Sequence, residues 1–231
     1  MEQLIFAFDR DDENHWRAKL ACGHYQHVRH EPPLITREWV TTPEGRSTRI
    51  GRSLECKKCD NGDPADFELS SLLADDHSYL DELLDAAFVS IKANDEARVF
   101  ECVDMFWARL AMHIRAEHLH LFPAIENAAK VPNNIVTGDD AKTKIEALHG
   151  DHDLFMRKMI EAIKHLRTSS NDLEPVMTIL LEIQERLCEH NKIEESEVYL
   201  WAKDLLSAED HKDLEHKMLK EITNLPPRFS I

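Results

Sequence analysis

Two patterns of apolar positions divide the chain. Up to about residue 60 they are short and interrupted: the runs LIFAF (residues 4–8) and REWVTT (residues 37–42) are set between Pro32-Pro33, Pro43, Gly45 and Gly51. Runs of this kind, bounded by turn residues, predict strands, so residues 1–62 read as a small β-rich module. Asp60-Asn61-Gly62-Asp63-Pro64 joins a turn signal to a proline and predicts the linker. From Leu69 onward apolar residues recur in steps of three and four, the spacing of a helix with one buried face. A first helix over residues 69–92 carries Leu73, His77, Leu80, Leu84, Phe88 and Ile91 down one seam. A second, capped by Asn94 and ending near Glu126, carries Phe106, Leu110, His113, Glu117 and Leu121. After a loop holding Pro132 and Gly138, a third carries Ile145, His149, His152, Met156, Met159 and Ile163. A fourth, over residues 173–206, carries Ile183, Leu187, His190, Glu194, Val198, Trp201 and Leu205. Ser207 with Asp210 three residues on resembles a capping box for a shorter fifth helix that ends before Pro226. The expected fold is mainly α: an up-down-up-down four-helix bundle over residues 66–222, with the β-rich module in front.

Composition narrows what such a chain can do. No apolar run is long enough to span a membrane, and the first residues, MEQLIFAFDRDDENHW, lack the basic-then-apolar pattern of a secretory signal, so a cytoplasmic location is expected. The net charge of −16 is uneven. Residues 1–60 hold ten Lys/Arg and ten Asp/Glu, which leaves the whole acidic excess on the bundle, where it repels nucleic acid. Arg37, Arg46, Arg49 and Arg52 group in the neutral part and read as a solvated face, with a site for an acidic partner as the alternative. Of the five cysteines, Cys102 and Cys188 sit singly in helical patterns and read as small buried side chains.

The chemistry lies in where histidine and glutamate fall. They occupy seam positions that a plain bundle fills with leucine, and burying them is costly unless something pairs them. His113 and Glu117 are four residues apart, hence one turn apart on the same side of a helix, and His190 and Glu194 repeat the arrangement. The first and third helices each add a histidine after an aspartate, His77 and His152. The result is an internal repeat, and four imidazoles and two carboxylates converging between four helices suit two divalent ions, iron or manganese better than zinc. Glu117-x-x-His120 and Glu146-x-x-His149 also match the spacing of ferritin-like di-iron proteins, but that scheme leaves His77 and His190 without a purpose. His118, His120, His165, His211 and His216 stand outside the repeat and read as surface or supporting groups. In the module, Cys22-x-His24 and Cys56-x-x-Cys59 supply four donors for one tetrahedral, structural zinc, with His27 or His30 as substitutes for His24.

The ordered set of His77, His113-x3-Glu117, His152 and His190-x3-Glu194, together with the segments HIRAEHLHLFPAIE and HNKIEESEVYLWA, resembles the hemerythrin-like family over residues 69–206. The resemblance implies a non-haem di-iron centre on those residues. In oxygen carriers of the family the third helix has H-x3-H, where this chain has His149-x2-His152, so His149 is open as a further ligand. With it the set resembles the oxygen carriers. Without it the set resembles the iron-repair and nitric-oxide-responsive branch. Glu195 stands where oxygen carriers place a carboxylate, and helix geometry favours Glu194. The implied function is binding or sensing of a small diatomic ligand, oxygen or nitric oxide; stress-related repair, peroxide turnover and iron storage or delivery are the alternatives. Met156, Met159, Phe106 and Trp201 are available to line a dry pocket. No nucleophile–base pair or phosphate-cradling loop is present, so hydrolytic or transferase chemistry is not expected. The run CGHYQHVRHEPP with REWV and LECKKC resembles a short bacterial domain of unknown function, over residues 3–60, which identifies neither activity nor partner.

Overall fold

The computed structural model describes residues 1–28, 37–66, 72–131, 134–168, 172–224 and 226. Its N-terminal part is an antiparallel sheet of strands β1 (Glu2–Arg10), β2 (Trp16–Leu20), β3 (Tyr25–His27) and β4 (Ser53–Glu55), in the order β3-β2-β1-β4. The pairing of β1 with β2 passes from Ile5 opposite Leu20 to Ala7 opposite Lys19, so Phe6 is the extra residue of a bulge. The bulge turns Phe6 and Ala7 into the bundle, against Leu72, Leu73, Leu214 and Met218, while Ile5 and Phe8 pack with Ala18, Leu20 and Val40.

The run REWVTT is not a strand. Glu38–Thr41 is a 3-10 turn that leads into helix α1 (Pro43–Ser47). Thr42 Oγ1 accepts the Gly45 N–H, and Pro43 occupies the first turn, where its missing donor costs nothing. That local capping overrides the β propensity of Trp39, Val40 and Thr41. Helix α2 (Lys57–Asn61) ends at Gly62 in the left-handed conformation, φ 74°.

The bundle follows. Helix α3 (Leu72–Lys92) packs on α4 (Glu96–Ala116), which runs through a π-helical turn (Glu117–Leu121) into α5 (Phe122–Ala128). Helix α6 (Gly138–Thr168) packs on α7 (Glu174–Ile193), which runs through a second π-helical turn (Glu194–Val198) into α8 (Tyr199–Leu205). Contacts of α4 with α6 and of α3 with α7 close the four-helix square, and α9 (Ala208–Ile222) lies along α4. Its start matches the expected capping box: Ser207 Oγ accepts the Asp210 N–H.

Four local expectations change, the first being that Arg46 is buried, paired with Glu82 and donating to the Val40 carbonyl, and does not lie on a solvated face. Helix α4 is capped by Asp95, whose Oδ1 accepts the Arg98 N–H, because Asn94 is in the left-handed region at φ 54° and closes the preceding turn instead. Gly138 belongs to the first turn of α6, not to the loop; Pro132 and the start of the predicted first helix at 69–71 lie outside the described residues. Cys188 is exposed, since its position on α7 faces outward, whereas Cys102 is buried and donates to Glu44. Among the described residues no helix is long and apolar enough to cross a membrane.

The interior is split. One apolar cluster gathers Leu80, Leu84, Phe106, Phe155, Met159 and Leu180, and another gathers Leu72, Leu121, Phe122, Ile145, Val198 and Leu219. Between them lies a layer of buried polar side chains. The sheet and α1 are tied to the bundle beside that layer: Lys19 Nζ meets both Asp75 oxygens at 2.7–2.8 Å, Arg46 pairs with Glu82, and Tyr79 Oη donates to the Pro43 carbonyl at 2.6 Å.

Candidate metal centres

The buried layer is made of His77 from α3, His113 from α4, Glu117 from the first π turn, His152 from α6, His190 from α7 and Glu194 from the second π turn; each is at most 3% exposed. His77 Nε2 is 3.1 Å from His113 Nε2, and His152 Nε2 is 3.0 Å from His190 Nε2. The carboxylates lie between the two pairs. Glu194 Oε2 is 3.3 Å from His77 Nε2 and its Oε1 is 3.0 Å from His190 Nε2. Glu117 Oε1 is 3.4 Å from His113 Nε2 and its Oε2 is 3.4 Å from His152 Nε2.

The outer partners fix which nitrogen faces inward. His113 Nδ1 donates to Asp76 Oδ2 at 2.9 Å, His190 Nδ1 to Asp151 Oδ2 at 3.2 Å, and His77 Nδ1 to Glu195 Oε1 at 2.8 Å. A neutral imidazole with its proton on Nδ1 presents a bare lone pair at Nε2. The centre is therefore a cage of lone pairs, and Glu117 Oε2 and Glu194 Oε1 have no hydrogen-bond partner within it. Such a cage is stable only around positive charge. Protons supply some of it. Burial opposes a charge on His113, yet Glu117 and Asp76 outweigh burial and hold it well above the usual imidazole value; the carboxylates likewise raise His77 and His190. Burial and the neighbouring Glu194 raise Glu117, while Glu194, despite burial, is held well below the carboxylate range by His190 and His77. Burial and His190 push His152 down to about 2, so it stays a neutral donor. Cations in the cage satisfy the same lone pairs without protons.

The two halves match residue by residue. Glu117, His113 and Arg109 precede Glu194, His190 and Arg186 by the same interval, and Arg109 and Arg186 hold Asp76 and Asp151 in turn. The symmetry breaks at two matched places. One residue after the glutamate, His118 lies with its Nε2 2.8 Å from His152 Nδ1, where the other half has Glu195 on His77. Five residues after the glutamate, Phe122 faces the rings of His149 and His152, where the other half has Tyr199. Tyr199 Oη is 3.1 Å from His77 Nε2, 3.1 Å from Glu117 Oε1 and 3.2 Å from Glu194 Oε2.

His149 is brought to His118 and Phe122, ring centroids 4.1 and 5.3 Å away, and to the outer edge of His152; it is not among the donors gathered around Glu117 and Glu194. Glu195 sits at the rim. The ferritin-like alternative does not assemble: Glu146 is exposed beside Lys142, and His120 faces Glu221. Asp76, Asp151, Arg109, His118 and Tyr199 were not singled out as site residues by the seam pattern; aligning the halves on His77 and His152 pairs Asp76 with Asp151, and aligning them on His113 and His190 pairs Arg109 with Arg186 and sets His118 against Glu195 and Tyr199 against Phe122.

A second cluster stands in the sheet module. His24 Nδ1 is 3.3 Å from Cys22 Sγ and 3.5 Å from both Cys56 Sγ and Cys59 Sγ, and Cys22 Sγ is 3.8 Å from Cys56 Sγ. A tetrahedral centre with bonds of about 2.3 Å to sulfur and about 2.0 Å to nitrogen has edges of about 3.5 to 3.8 Å. His24 Nε2 donates to the Pro64 carbonyl at 2.9 Å, which leaves Nδ1 facing the sulfurs. His27 turns away to Asp11, and His30 lies outside the described residues. Burial pushes the Cys22 thiol up to about 12, whereas Cys56, although burial opposes it, is drawn down by the Cys59 backbone N–H and the adjacent thiols.

Comparison with protein families gives one match in each part of the chain. The model of a protein of unknown function, DUF3565, matches residues 6–63, and that of the hemerythrin HHE cation binding domain matches residues 68–202. Searches of curated proteins and of solved structures find no match. The second region takes in more than half of the chain and every donor of the buried cage, and the chain belongs to the hemerythrin HHE cation-binding family.

Proposed function

We propose that the cage holds two iron ions and that the protein binds or senses a diatomic ligand, oxygen or nitric oxide, at that centre. His77, His113, Glu117, His152, His190 and Glu194 are the ligand set, and His149 stays with His118 outside it. Cys22, His24, Cys56 and Cys59 hold one structural zinc in the module formed by residues 1–62. The observation that carries the reading is the converging set of Nε2 lone pairs and partnerless carboxylate oxygens, duplicated in two halves. Ferrous iron, when bound, supplies electron density to a ligand at a free coordination position.

The chain's own groups do the rest. Asp76 and Asp151 keep the protons of His113 and His190 on the outer nitrogens. Phe122 and Phe155 pack on the rings of His152 and His190 and exclude water from that side. An open cleft of about 500 Å³, lined by His77, Asp81, Cys188, Asn191 and Glu195, reaches the His77 side from solvent.

The test is elemental analysis of protein purified without oxygen and reconstituted with ferrous iron. About two irons and one zinc per chain are expected. Exposure to oxygen and to nitric oxide should then change the visible spectrum reversibly, with stretching vibrations of the bound gas. Zinc without iron overturns the di-iron reading, and iron that ignores both gases overturns the ligand.

A further inference from the structure

We infer that Tyr199 is a seventh ligand of the centre, its phenol oxygen binding the ion held by His77 and His113, so that the two ions are chemically unequal. The inference rests on the di-iron reading. A hydroxyl has one proton to give, yet Tyr199 Oη lies within 3.2 Å of three acceptors: His77 Nε2, Glu117 Oε1 and Glu194 Oε2. In the charge state that a metal requires, with His77 neutral and both glutamates ionised, His77 keeps its one proton on Nδ1, against Glu195, and its Nε2 gives nothing back. Two of the three contacts therefore set lone pair against lone pair. A hydrogen bond accounts for one of them, and a shared cation accounts for all three.

The spacing agrees. Donors around an octahedral ion with bonds of about 2.1 Å are about 3.0 Å from their neighbours. Tyr199 Oη stands 3.1–3.2 Å from its neighbours, and the other donors on that side, His77, His113, Glu117 and Glu194, stand 3.1–3.4 Å from one another in the contacts the structure gives. The phenol oxygen thus belongs to the same shell and does not approach from behind it.

The second π turn puts it there. On an undistorted helix the fifth residue after Glu194 is about 140° around the axis from it. Here the Tyr199 N–H donates to the Glu194 carbonyl, the i to i+5 bond that stacks Tyr199 over Glu194. The first π turn stacks Phe122 over Glu117 in the same way, with no donor to offer. One half therefore adds a hard oxygen ligand, suited to ferric iron, and the other does not. On ligation the O–H bond breaks, the oxygen binds the ion and the proton leaves to solvent, as it does from other metal-binding side chains.

The experiment compares the iron-loaded wild type with Tyr199→Phe, both oxidised with ferricyanide. The wild type is expected to show a visible phenolate-to-iron charge-transfer band and, on excitation into it, tyrosinate ring vibrations that shift when the chain contains ring-deuterated tyrosine. The chain has three tyrosines, and Tyr25 and Tyr79 are bound elsewhere, Tyr79 to Ser47 and Pro43 and Tyr25 beneath Arg17. Tyr199→Phe is expected to keep about two irons and lose both signals. Full iron content with no tyrosinate vibrations in the wild type overturns the inference and leaves the di-iron reading standing. Equal spectra in both proteins do the same. If Tyr199→Phe takes up no iron, the isotope shift in the wild type decides by itself. A wild type that binds no iron overturns both.

Discussion

Asp76 and Asp151 occupy equivalent places but differ in what else depends on them. Asp76 is shared between His113 and Arg109, both buried, whereas Asp151 is shared between His190 and Arg186, which is 42% exposed. Replacing either by asparagine removes the acceptor that orients a ligand imidazole and should weaken metal binding about 10- to 100-fold. Asp76→Asn also leaves Arg109 as a buried unpaired charge and should cost about 3–5 kcal/mol of stability. Asp151→Asn should cost under about 1 kcal/mol, because water screens Arg186. Metal titration and denaturant melts of the two variants check both statements. His113→Ala and Glu117→Ala should take iron content from about two per chain to below one while far-ultraviolet circular dichroism stays helical, since the rest of the seam is apolar. Unchanged iron in both variants would sink the ligand assignment.

The same residues set the pH response of the metal-free protein. His77, His113 and His190 have folded values above their unfolded one, so their contribution to stability is complete below about pH 6.5 and is lost as pH rises through the folded values. Glu117, also raised, acts in the same direction. His152, held down, acts in the opposite one, as a single group. The melting temperature of the metal-free protein should therefore fall as pH rises above about 6.5. Metal affinity should rise over that range, because the ions replace those protons. Most of the buried cage was legible in the sequence, since histidine and glutamate on an apolar seam are too costly to bury unless a partner is built for them. Asp76, Arg109 and Tyr199 were not: a charged or aromatic residue one step off the seam has the pattern of a solvated face or ordinary core.

At the scale of elements, the two π turns are what a reading based on a 3.6-residue period cannot supply. The predicted seams are right through Leu121 and Val198, but each π turn inserts one residue, so that Phe122 and Tyr199 turn toward the centre, and beyond the second turn Ala202 is buried while Trp201 and Leu205 are only half-buried. Deleting exposed Ser196 should restore a regular helix and rotate everything after it by about 100°. Buried Val198 precedes and Ala202 follows the turn's end, so the deletion should cost about 2–5 kcal/mol, the range for losing a buried aliphatic side chain, and should remove Tyr199 from the centre. Thermal melting with an iron count checks it; an unchanged melting temperature would mean that the turn is incidental. The 3-10 turn at Glu38–Thr41 was misread for a related reason: propensity ranked Trp39, Val40 and Thr41 as strand, but Thr42 and Pro43 fix the chain locally.

At the scale of the molecule, the sheet shares an apolar cluster with the bundle, where Phe6 and Ala7 pack with Leu72 and Met218. Cys56→Ser should abolish zinc binding and expose the β1–β2 amides to hydrogen exchange, while saturating ferrous iron still fills the bundle with about two ions. Retained zinc in that variant would refute the proposed ligand set of the module. The short apolar run LIFAF foretold a strand but not its bulge, so this shared core was visible only once the register of β1 was known.

The contact of Lys19 with Asp75 joins the two centres more closely than their sequence positions suggest. Lys19 stands on β2, three residues before Cys22, and Asp75 adjoins Asp76 and His77 on α3. With the proposed metals bound, a shift of that strand on losing zinc would be delivered to Asp76, which orients His113, and to His77. Thermodynamic reciprocity then applies: the factor by which zinc changes the affinity for iron is the factor by which iron changes the affinity for zinc.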